Sequence, residues 1–191
     1  MAIFILPIIF VACDKLGIQT TIRSNWKDTP DRYWVGADFW ANRLQDWRVN
    51  SGLLECINGQ RSLRTVHLLT GAVEAGEGDL SMRVLIGVMN DSAETKNAWA
   101  GFLIGAGSTD DDYRSRALIH QAYGKNGGLI AAINGEGEIL FLDNENGRKS
   151  IPPNRNKPYP RRGFSRRGVE LILNAEVKND HCEVILRAID Q

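Results

Sequence analysis

After residue 33, hydrophobic and polar residues alternate in most of the chain with the two-residue period of β-strands. Residues 79–86 alternate before becoming a continuous apolar run, and residues 98–105 form a short apolar run bounded by glycine. Successive side chains of a strand point to opposite faces of its sheet, so both segments are predicted as strands. Five later segments have the same character: residues 117–121, 128–133, 138–142, 169–175 and 182–189.

Turn signals separate these predicted strands. Asn-Gly pairs begin at positions 126, 134 and 146, and the pair at 134 lies between two apolar runs, which is typical of a hairpin. The segments recur about every ten residues, and after the N-terminal run no stretch has the apolar stripe of a three-turn helix. A short helical turn is predicted over residues 110–116. We therefore expect an all-β fold, an antiparallel β-sandwich.

The region around residue 40 is predicted to be the entry to this β-domain. Trp40 and Trp47 bracket a short polar turn, a strand-like triplet follows, and an Asn-Ser-Gly turn leads into a second strand at Leu53. Large aromatic residues in such a setting are most often buried. Trp34, Trp40 and Trp47 are accordingly expected in the core.

The N-terminus has a different pattern. Residues 1–12 are an uninterrupted apolar run without charge, too short for the roughly 20 residues of a membrane-spanning helix. The run fits a secretory signal, and Val11-Ala12-Cys13 places a small residue before a cysteine, as in a bacterial lipoprotein signal. A plain cleaved signal and a buried N-terminal strand or helix are the alternatives.

The domain boundaries follow from this N-terminal interpretation. We expect a signal over residues 1–13 with Cys13 as the lipidation site, a linker over residues 14–32 and a β-sandwich module over residues 33–191. The protein would then be exported and become a periplasmic or cell-surface lipoprotein.

Composition limits the classes of partner. The 191 residues are 43% hydrophobic, enough for a core, and the formal net charge is zero, which argues against nucleic acid as a partner. Residues 148–168 are the exception, with eight basic residues, four prolines and no acid. They predict a loop, either an anion-binding patch or, as we favour, a solvated connection between strands.

The cysteines left after processing are Cys56 and Cys182. Both lie in strand-like runs, and an exported protein can form disulfides. Free cysteine is also one of the most frequently buried residue types. We favour two separate core cysteines over a disulfide.

Catalytic and metal-binding patterns are sparse. His67, His120 and His181 are isolated along the chain, and nothing has zinc-ligand spacing. Glu136 and Glu138 invite comparison with the paired carboxylates of glycosidases, but a glycine between them would hold them poorly. A structural calcium ion is conceivable at residues 110–112 or 143–147, although solvated acidic loops are favoured.

Several ordered blocks of the sequence resemble one known module. They are residues 40–47, 64–70, 100–107, 112–114, 124–129 and 141–144. Together they resemble the N-terminal domain of bacterial secreted proteins of the alkaline phosphatase D type, which are metallophosphatase-like phosphodiesterases. The resemblance covers about residues 30 to 190. It implies a jelly-roll sandwich similar to concanavalin A-like lectins and glucanases.

The resemblance also implies where the chemistry lies. In that family a downstream domain holds two metal ions that activate water for attack at phosphorus. No segment of residues 1–191 matches its metal-binding motifs, so no catalytic residue is assigned and no cofactor is expected in this chain. We expect the chain to be a fragment, truncated at its C-terminus, of a longer phosphoric ester hydrolase.

The expected function is therefore that of a non-catalytic accessory module. It would bind a carbohydrate or an anionic polymer, or pack against the downstream metallophosphatase domain, and it would meet the membrane only through its lipid. The alternatives are a free-standing glycan-binding protein and a divergent glycoside hydrolase. The candidate binding residues are Trp99, Tyr113, Arg114, His120 and Tyr123. Core packing for Trp99 and loop anchoring for Tyr113 and Arg114 are the simpler roles.

Overall fold

A computed structural model describes residues 3–5, 9–13, 19–60, 64–71, 78–89, 98–108, 123–153 and 167–191. Strands dominate this part, with two short 3₁₀ turns at Trp26–Asp28 and Leu44–Asp46. The strands are β1 (Ile3–Ile5), β2 (Ile9–Cys13), β3 (Gln19–Arg23), β4 (Phe39–Asn42), β5 (Trp47–Asn50), β6 (Leu53–Cys56), β7 (Thr65–Leu68), β8 (Asp79–Val88), β9 (Trp99–Ile104), β10 (Leu129–Asn134), β11 (Ile139–Asp143), β12 (Lys149–Ser150), β13 (Val169–Val177) and β14 (Cys182–Asp190).

Three antiparallel sheets are formed within the described residues. The large sheet has the order β14-β13-β8-β1-β6-β5, with β2 pairing with β8 and β3. A four-stranded sheet has the order β12-β11-β10-β9, and β4 and β7 form a two-stranded sheet. Six of the predicted strands correspond to β8, β9, β10, β11, β13 and β14. The segment predicted over residues 117–121 and the helical turn over 110–116 lie outside the described residues.

The Asn-Gly pair at position 134 forms the predicted hairpin between β10 and β11. The side-chain Oδ1 of Asn134 accepts the backbone N–H groups of Glu136 and Glu138 at 3.0 and 2.8 Å. An asparagine that accepts backbone donors two residues ahead reproduces a turn by itself, which is why this residue type marks turns.

One apolar cluster lies between the large sheet and the four-stranded sheet. Its buried members are Val84, Ile86, Val88, Phe102, Ala131, Ile133, Val169, Leu171, Leu173, Leu186 and Ala188, which we call the aliphatic core. They come from β8, β13 and β14 on one side and from β9 and β10 on the other. Two sheets that share such a layer form a β-sandwich, so the predicted fold class is confirmed. The jelly-roll topology stays a prediction.

A second cluster lies between the β5–β6 end of the large sheet and the β4–β7 pair. Its buried members are Trp26, Val35, Phe39, Ala41, Trp47, Val49, Leu54 and Cys56, which we call the aromatic core. Trp26 and Phe39 are in ring contact, with centroids 5.1 Å apart. The burial of Trp47 matches the expectation for this tryptophan.

Both cores lie on the same face of the large sheet. In the pairing of β1 with its two neighbours, Ile3 is level with Val88 of β8 and with Cys56 of β6. Residues directly opposite one another in antiparallel strands point to the same face. Val88 of the aliphatic core and Cys56 of the aromatic core are therefore in one row, with β1 between their strands.

The N-terminal residues take part in this sheet. β1 lies between β8 and β6, and β2 runs along the part of β8 that β1 leaves open. This arrangement corresponds to the N-terminal strand weighed above, while the secretory signal and the lipidation of Cys13 stay predictions. In the segment predicted as a linker, residues 19–23 form β3 and Trp26 is fully buried.

Three side-chain expectations were wrong. Trp40 is only half-buried, because on β4 it alternates with Phe39 and Ala41, which take the inward positions in the aromatic core. Trp34 is 52% exposed, because it lies in an irregular segment outside the strands, where Arg32 packs over its ring. Cys182 is exposed on β14, whereas Cys56 is buried on β6 as expected.

The two cysteines are unpaired, as favoured from the sequence. Four inter-strand steps separate β14 from β6 in the large sheet. At about 4.8 Å a step, this separation is roughly 19 Å, far beyond the reach of a disulfide.

Candidate functional site

Two of the five sequence-predicted binding residues, Trp99 and Tyr123, lie in the part of the chain that the structure describes. Trp99 is the first residue of β9 and is half-buried against Ile130 and Ala132. Tyr123, by contrast, is 63% exposed. Tyr113, Arg114 and His120 lie outside the described residues.

Trp99 and Tyr123 lie near opposite ends of the four-stranded sheet. Trp99 pairs with Asn134, whereas the other end of β9, Ile104, pairs with Leu129 near the Tyr123 loop. Five residue steps along a strand span about 17 Å. The fold does not bring these two aromatic residues together, and the five-residue site as a whole stays a prediction.

The loop that carries Tyr123 is held by Asn144, a fully buried polar residue. Its backbone carbonyl accepts the Gly124 N–H at 3.0 Å, and its side-chain amide donates to the Gly127 carbonyl at 2.9 Å. A Cβ at Gly127 would lie 2.4 Å from the Asn144 carbonyl oxygen, so only glycine fits there. Tyr123 is thus displayed on a well-anchored loop.

A pair of exposed aromatic residues, Tyr33 and Trp34, lies beside β5. Tyr33 is 69% exposed and Trp34 is 52% exposed. With the groups beside them, Arg32 at Trp34 and Arg48 with Glu55 at Tyr33, they make up what we call the Tyr33–Trp34 surface. It lies around the edge of the large sheet, because Arg32 is directly opposite the inward-facing Val49 whereas Arg48 points to the other face. The sequence reasoning missed it, because Trp34 was assigned to the core. The signal that could have found it is the absence of strand alternation between Pro30 and Gly36.

Backbone pairing fixes this segment on the edge of the large sheet. Arg32 and Val49 of β5 exchange both of their backbone hydrogen bonds, at 2.9 and 2.7 Å. Asp31 Oδ1 accepts the Ser51 N–H at 2.7 Å, which ties the segment to the turn between β5 and β6. The two aromatic residues are therefore attached to a strand of the sandwich.

Arg32 organises Trp34. Its guanidinium carbon lies 5.0 Å from the centre of the Trp34 ring, and its Nε donates to the Trp34 carbonyl at 2.8 Å. A guanidinium over an indole is an attractive cation–π arrangement and restricts the ring. Trp34 is therefore both exposed and oriented.

Arg48 and Glu55 form the polar part of the surface. They are directly opposite one another on β5 and β6, on the face away from the aromatic core. The buried Glu55 carboxylate accepts from Arg48 Nε and, at 3.0 Å, from Asn50 Nδ2. The hydrogen bond with Glu55 raises the pKa of Arg48, and Tyr33 adds a smaller contribution in the same direction. Arg48 thus stays charged and fixed next to the exposed phenol.

Residues 143–147, where a calcium ion was considered and a solvated acidic loop favoured, form a turn held by their own side chains. Asp143 accepts from the backbone N–H groups of Glu145 and Asn146 and from the Asn146 side chain. These bonds, led by the Asn146 side chain, lower the pKa of Asp143. Within the described residues no group of three or more acidic, histidine or cysteine side chains could hold a metal ion. The second calcium position, residues 110–112, lies outside them.

The other carboxylates and histidines considered from the sequence interact with residues close to them along the chain. Glu138 Oε2 accepts from Asn134 Nδ2 at 2.9 Å, and both Glu136 and Glu138 are exposed on the hairpin. His67 Nε2 is 2.9 Å from Thr65 Oγ1, and His181 Nδ1 is 2.6 Å from Asp180 Oδ1. His120 and residues 154–166 of the basic loop lie outside the described residues.

Comparison of the chain with family models, with curated proteins and with solved structures found no match. In the part of the chain that the structure describes, no helix is long and apolar enough to cross a membrane.

Proposed function

We propose that this chain is a non-catalytic binding module whose Tyr33–Trp34 surface contacts a carbohydrate polymer. The observation that carries the proposal is the pair of exposed aromatic residues on a segment tied to β5, with Trp34 oriented by Arg32 and Tyr33 next to the fixed charge of Arg48. Aromatic side chains left in water beside fixed polar groups are typical of recognition sites, since their rings offer apolar area at a small entropic cost.

The polar groups favour a carbohydrate over a simple anion. Glu55 neutralises Arg48, and Arg32 is stacked on Trp34, so the surface holds no cluster of unpaired cations within the described residues. Guanidinium donors and the Tyr33 hydroxyl are suited to sugar hydroxyl groups, while the rings are suited to the apolar faces of sugars.

The family resemblance supplies the wider context of the proposal. The module would belong to an exported, lipid-anchored phosphodiesterase of the alkaline phosphatase D type, whose two metal ions lie in a downstream domain. Binding of a polymer by the sandwich would keep that domain near its substrate. Export and lipidation at Cys13 are a separate part of the proposal, because cleavage before Cys13 would remove β1 and most of β2 from the large sheet.

The proposal is tested by affinity electrophoresis and calorimetry with a neutral glucan, a polyuronate and polyphosphate. We expect binding to at least one polysaccharide, and Trp34→Ala to weaken it about tenfold, the equivalent of about 1.4 kcal/mol for one stacking contact. Leu44→Ala, an exposed apolar change elsewhere, is the matched control and should leave binding unchanged.

Tyr123→Ala separates the two candidate surfaces. If it abolishes binding and Trp34→Ala does not, the site lies at the Tyr123 loop and the Tyr33–Trp34 proposal is wrong. Binding to polyphosphate alone would also contradict a carbohydrate module.

A further inference from the structure

β14 is the terminal strand of the large sheet and has the properties of an edge that pairs with another strand. It is nine residues long, contains no proline, and among the described residues is paired with β13 on one side. On its outer face Ile185 is 41% exposed and Ile189 is 44% exposed. Long edge strands with exposed apolar residues are ready templates for pairing with a further strand.

Two charged side chains flank Ile185 on the same face of β14. Glu183 is directly opposite Glu176 of β13, a like charge, and Glu176 is itself paired with Lys178 at 2.5 Å. Arg187 is directly opposite the apolar Ile172. Within the described residues neither Glu183 nor Arg187 makes a salt bridge, although the charge of Lys178 also acts on Glu183 from the side of β13. Since like charges directly opposite one another are unfavourable, Glu183 would gain from a cation on its other side.

We propose that β14 pairs antiparallel with β14 of a second copy of this chain, in a register centred on Ile185. In this register Glu183 of each copy is opposite Arg187 of the other, and the two Ile185 side chains meet at the two-fold axis. An isologous interface needs a self-complementary patch of this kind. The pairing goes beyond the proposed function and does not depend on it.

The same register also suits the inner face of the sandwich. Val184 of one copy is opposite Leu186 of the other, and both side chains belong to or pack against the aliphatic core. The large sheets of the two copies would thus join into one sheet with a continuous apolar layer. Two cross-strand ion pairs and an apolar pair at the axis each contribute modestly, so we expect a dimer of moderate affinity.

The test is sedimentation equilibrium of the full chain from about 1 to about 200 µM, a range that covers Kd values typical of small interfaces. We expect a monomer–dimer equilibrium. Glu183→Arg and Arg187→Glu should each weaken dimerisation at least about tenfold by placing like charges opposite one another.

Two further samples test the register itself. The double variant that carries both changes restores opposite charges and should dimerise again. A mixture of the two single variants should form a 1:1 heterodimer, because one copy then presents two arginines and the other two glutamates. A change that merely weakened the fold would not be rescued by mixing.

Ile57→Lys, an exposed apolar change at the other end of the large sheet, is the control and should leave the equilibrium unchanged. Circular dichroism and thermal melting establish that each variant is folded. A wild-type chain that stays monomeric over the whole range overturns the proposal. A dimer that is indifferent to both single changes overturns it too, since its interface would lie elsewhere.

Discussion

The aliphatic and aromatic cores occupy the same face of the large sheet, but the aliphatic core comes from regular strands and the aromatic core comes partly from irregular backbone. The aliphatic core takes its residues from regular strands, where alternation alone places Val169, Leu171 and Leu173 on one face. The aromatic core takes Trp26 from a 3₁₀ turn and Val35 from an irregular segment. Regular alternation of apolar and polar residues is therefore sufficient to predict the members of the aliphatic core, but not those of the aromatic core.

The polar atoms of the aromatic core explain the difference. Trp26 Nε1 donates to the Val35 carbonyl at 2.8 Å, and Trp47 Nε1 donates to the Asn42 carbonyl at 3.1 Å. A buried indole N–H needs an acceptor, and the carbonyls within a regular ladder are already used by neighbouring strands. The irregular segment at Val35 supplies one spare carbonyl, and Asn42, the last residue of β4 in its two-stranded sheet, supplies the other. Leucine and valine have no such requirement.

A buried ion pair stands beside the aromatic core. Arg64 Nε lies 2.6 Å from Asp46 Oδ2, with side chains only 6% and 9% exposed. Asp46 also accepts from Asn58 Nδ2 at 3.1 Å and directly precedes the buried Trp47. The pair thus connects the 3₁₀ turn before β5 to the residue that precedes β7.

The largest effect should come from breaking this pair. Arg64→Met keeps most of the side-chain volume but leaves the Asp46 carboxylate buried without its cation. We expect a loss of about 3–5 kcal/mol in the free energy of unfolding, measured by urea denaturation.

The exposed pair between Arg83 and Glu170 offers a matched control. Arg83 is half-exposed, so Arg83→Met should cost no more than about 1 kcal/mol. The double variant Arg64→Met with Asp46→Asn should recover part of the loss, because it removes the unpaired charge. Equal effects of the two methionine variants would mean that the aromatic core does not depend on its ion pair.

A somewhat smaller effect is expected in the aliphatic core. Leu173 of β13 is fully buried, and Leu173→Ala removes apolar contacts on both sheets and leaves a cavity. We expect a loss of about 2–5 kcal/mol in the free energy of unfolding.

Ile172, the preceding residue on the same strand, points to the outer face and is partly exposed. Ile172→Ala should therefore cost about 1 kcal/mol, and the difference between neighbours measures how strictly alternation defines this core. If the two variants were equally destabilised, the inward and outward faces of β13 would have been assigned wrongly.

The smallest effect concerns the thiol in the aromatic core. Burial raises the pKa of Cys56 above its ordinary value of 9.0. As the pH rises, the thiol therefore loses its proton in the unfolded chain before it does so in the folded protein. The contribution of the buried thiol to the free energy of unfolding is complete below pH 9.0 and is lost as the pH rises towards the folded pKa. The Cys56→Ala variant should lack this alkaline loss.

Thiol labelling provides the direct readout. A thiol reagent should modify the exposed Cys182 in the folded protein and Cys56 only after unfolding. Cys182→Ser is the control that leaves no accessible thiol among these two. Rapid labelling of Cys56 in native buffer would contradict the burial of this core.

How much of the candidate site the sequence could reveal differs between its residues. Tyr123 is followed directly by Gly124 and the Asn126-Gly127 turn signal, so its display on a loop was predictable, whereas the exposure of Trp34 was not. Residue type alone favours burial for a tryptophan, and the packing of Arg32 over the ring depends on the pairing of Arg32 with Val49. That pairing joins residues far apart along the chain.

The sequence by itself determined the strands of the aliphatic core, the Asn-Gly turns and the all-β class, because these depend on local periodicity and turn chemistry. The tertiary structure alone decided which strands are neighbours, and hence that Cys56 and Cys182 are four strands apart and that β14 is an edge. It also decided which aromatic residues are exposed, since burial depends on contacts between distant segments. The physical reason is that alternation specifies the face of a side chain but not the partner across it.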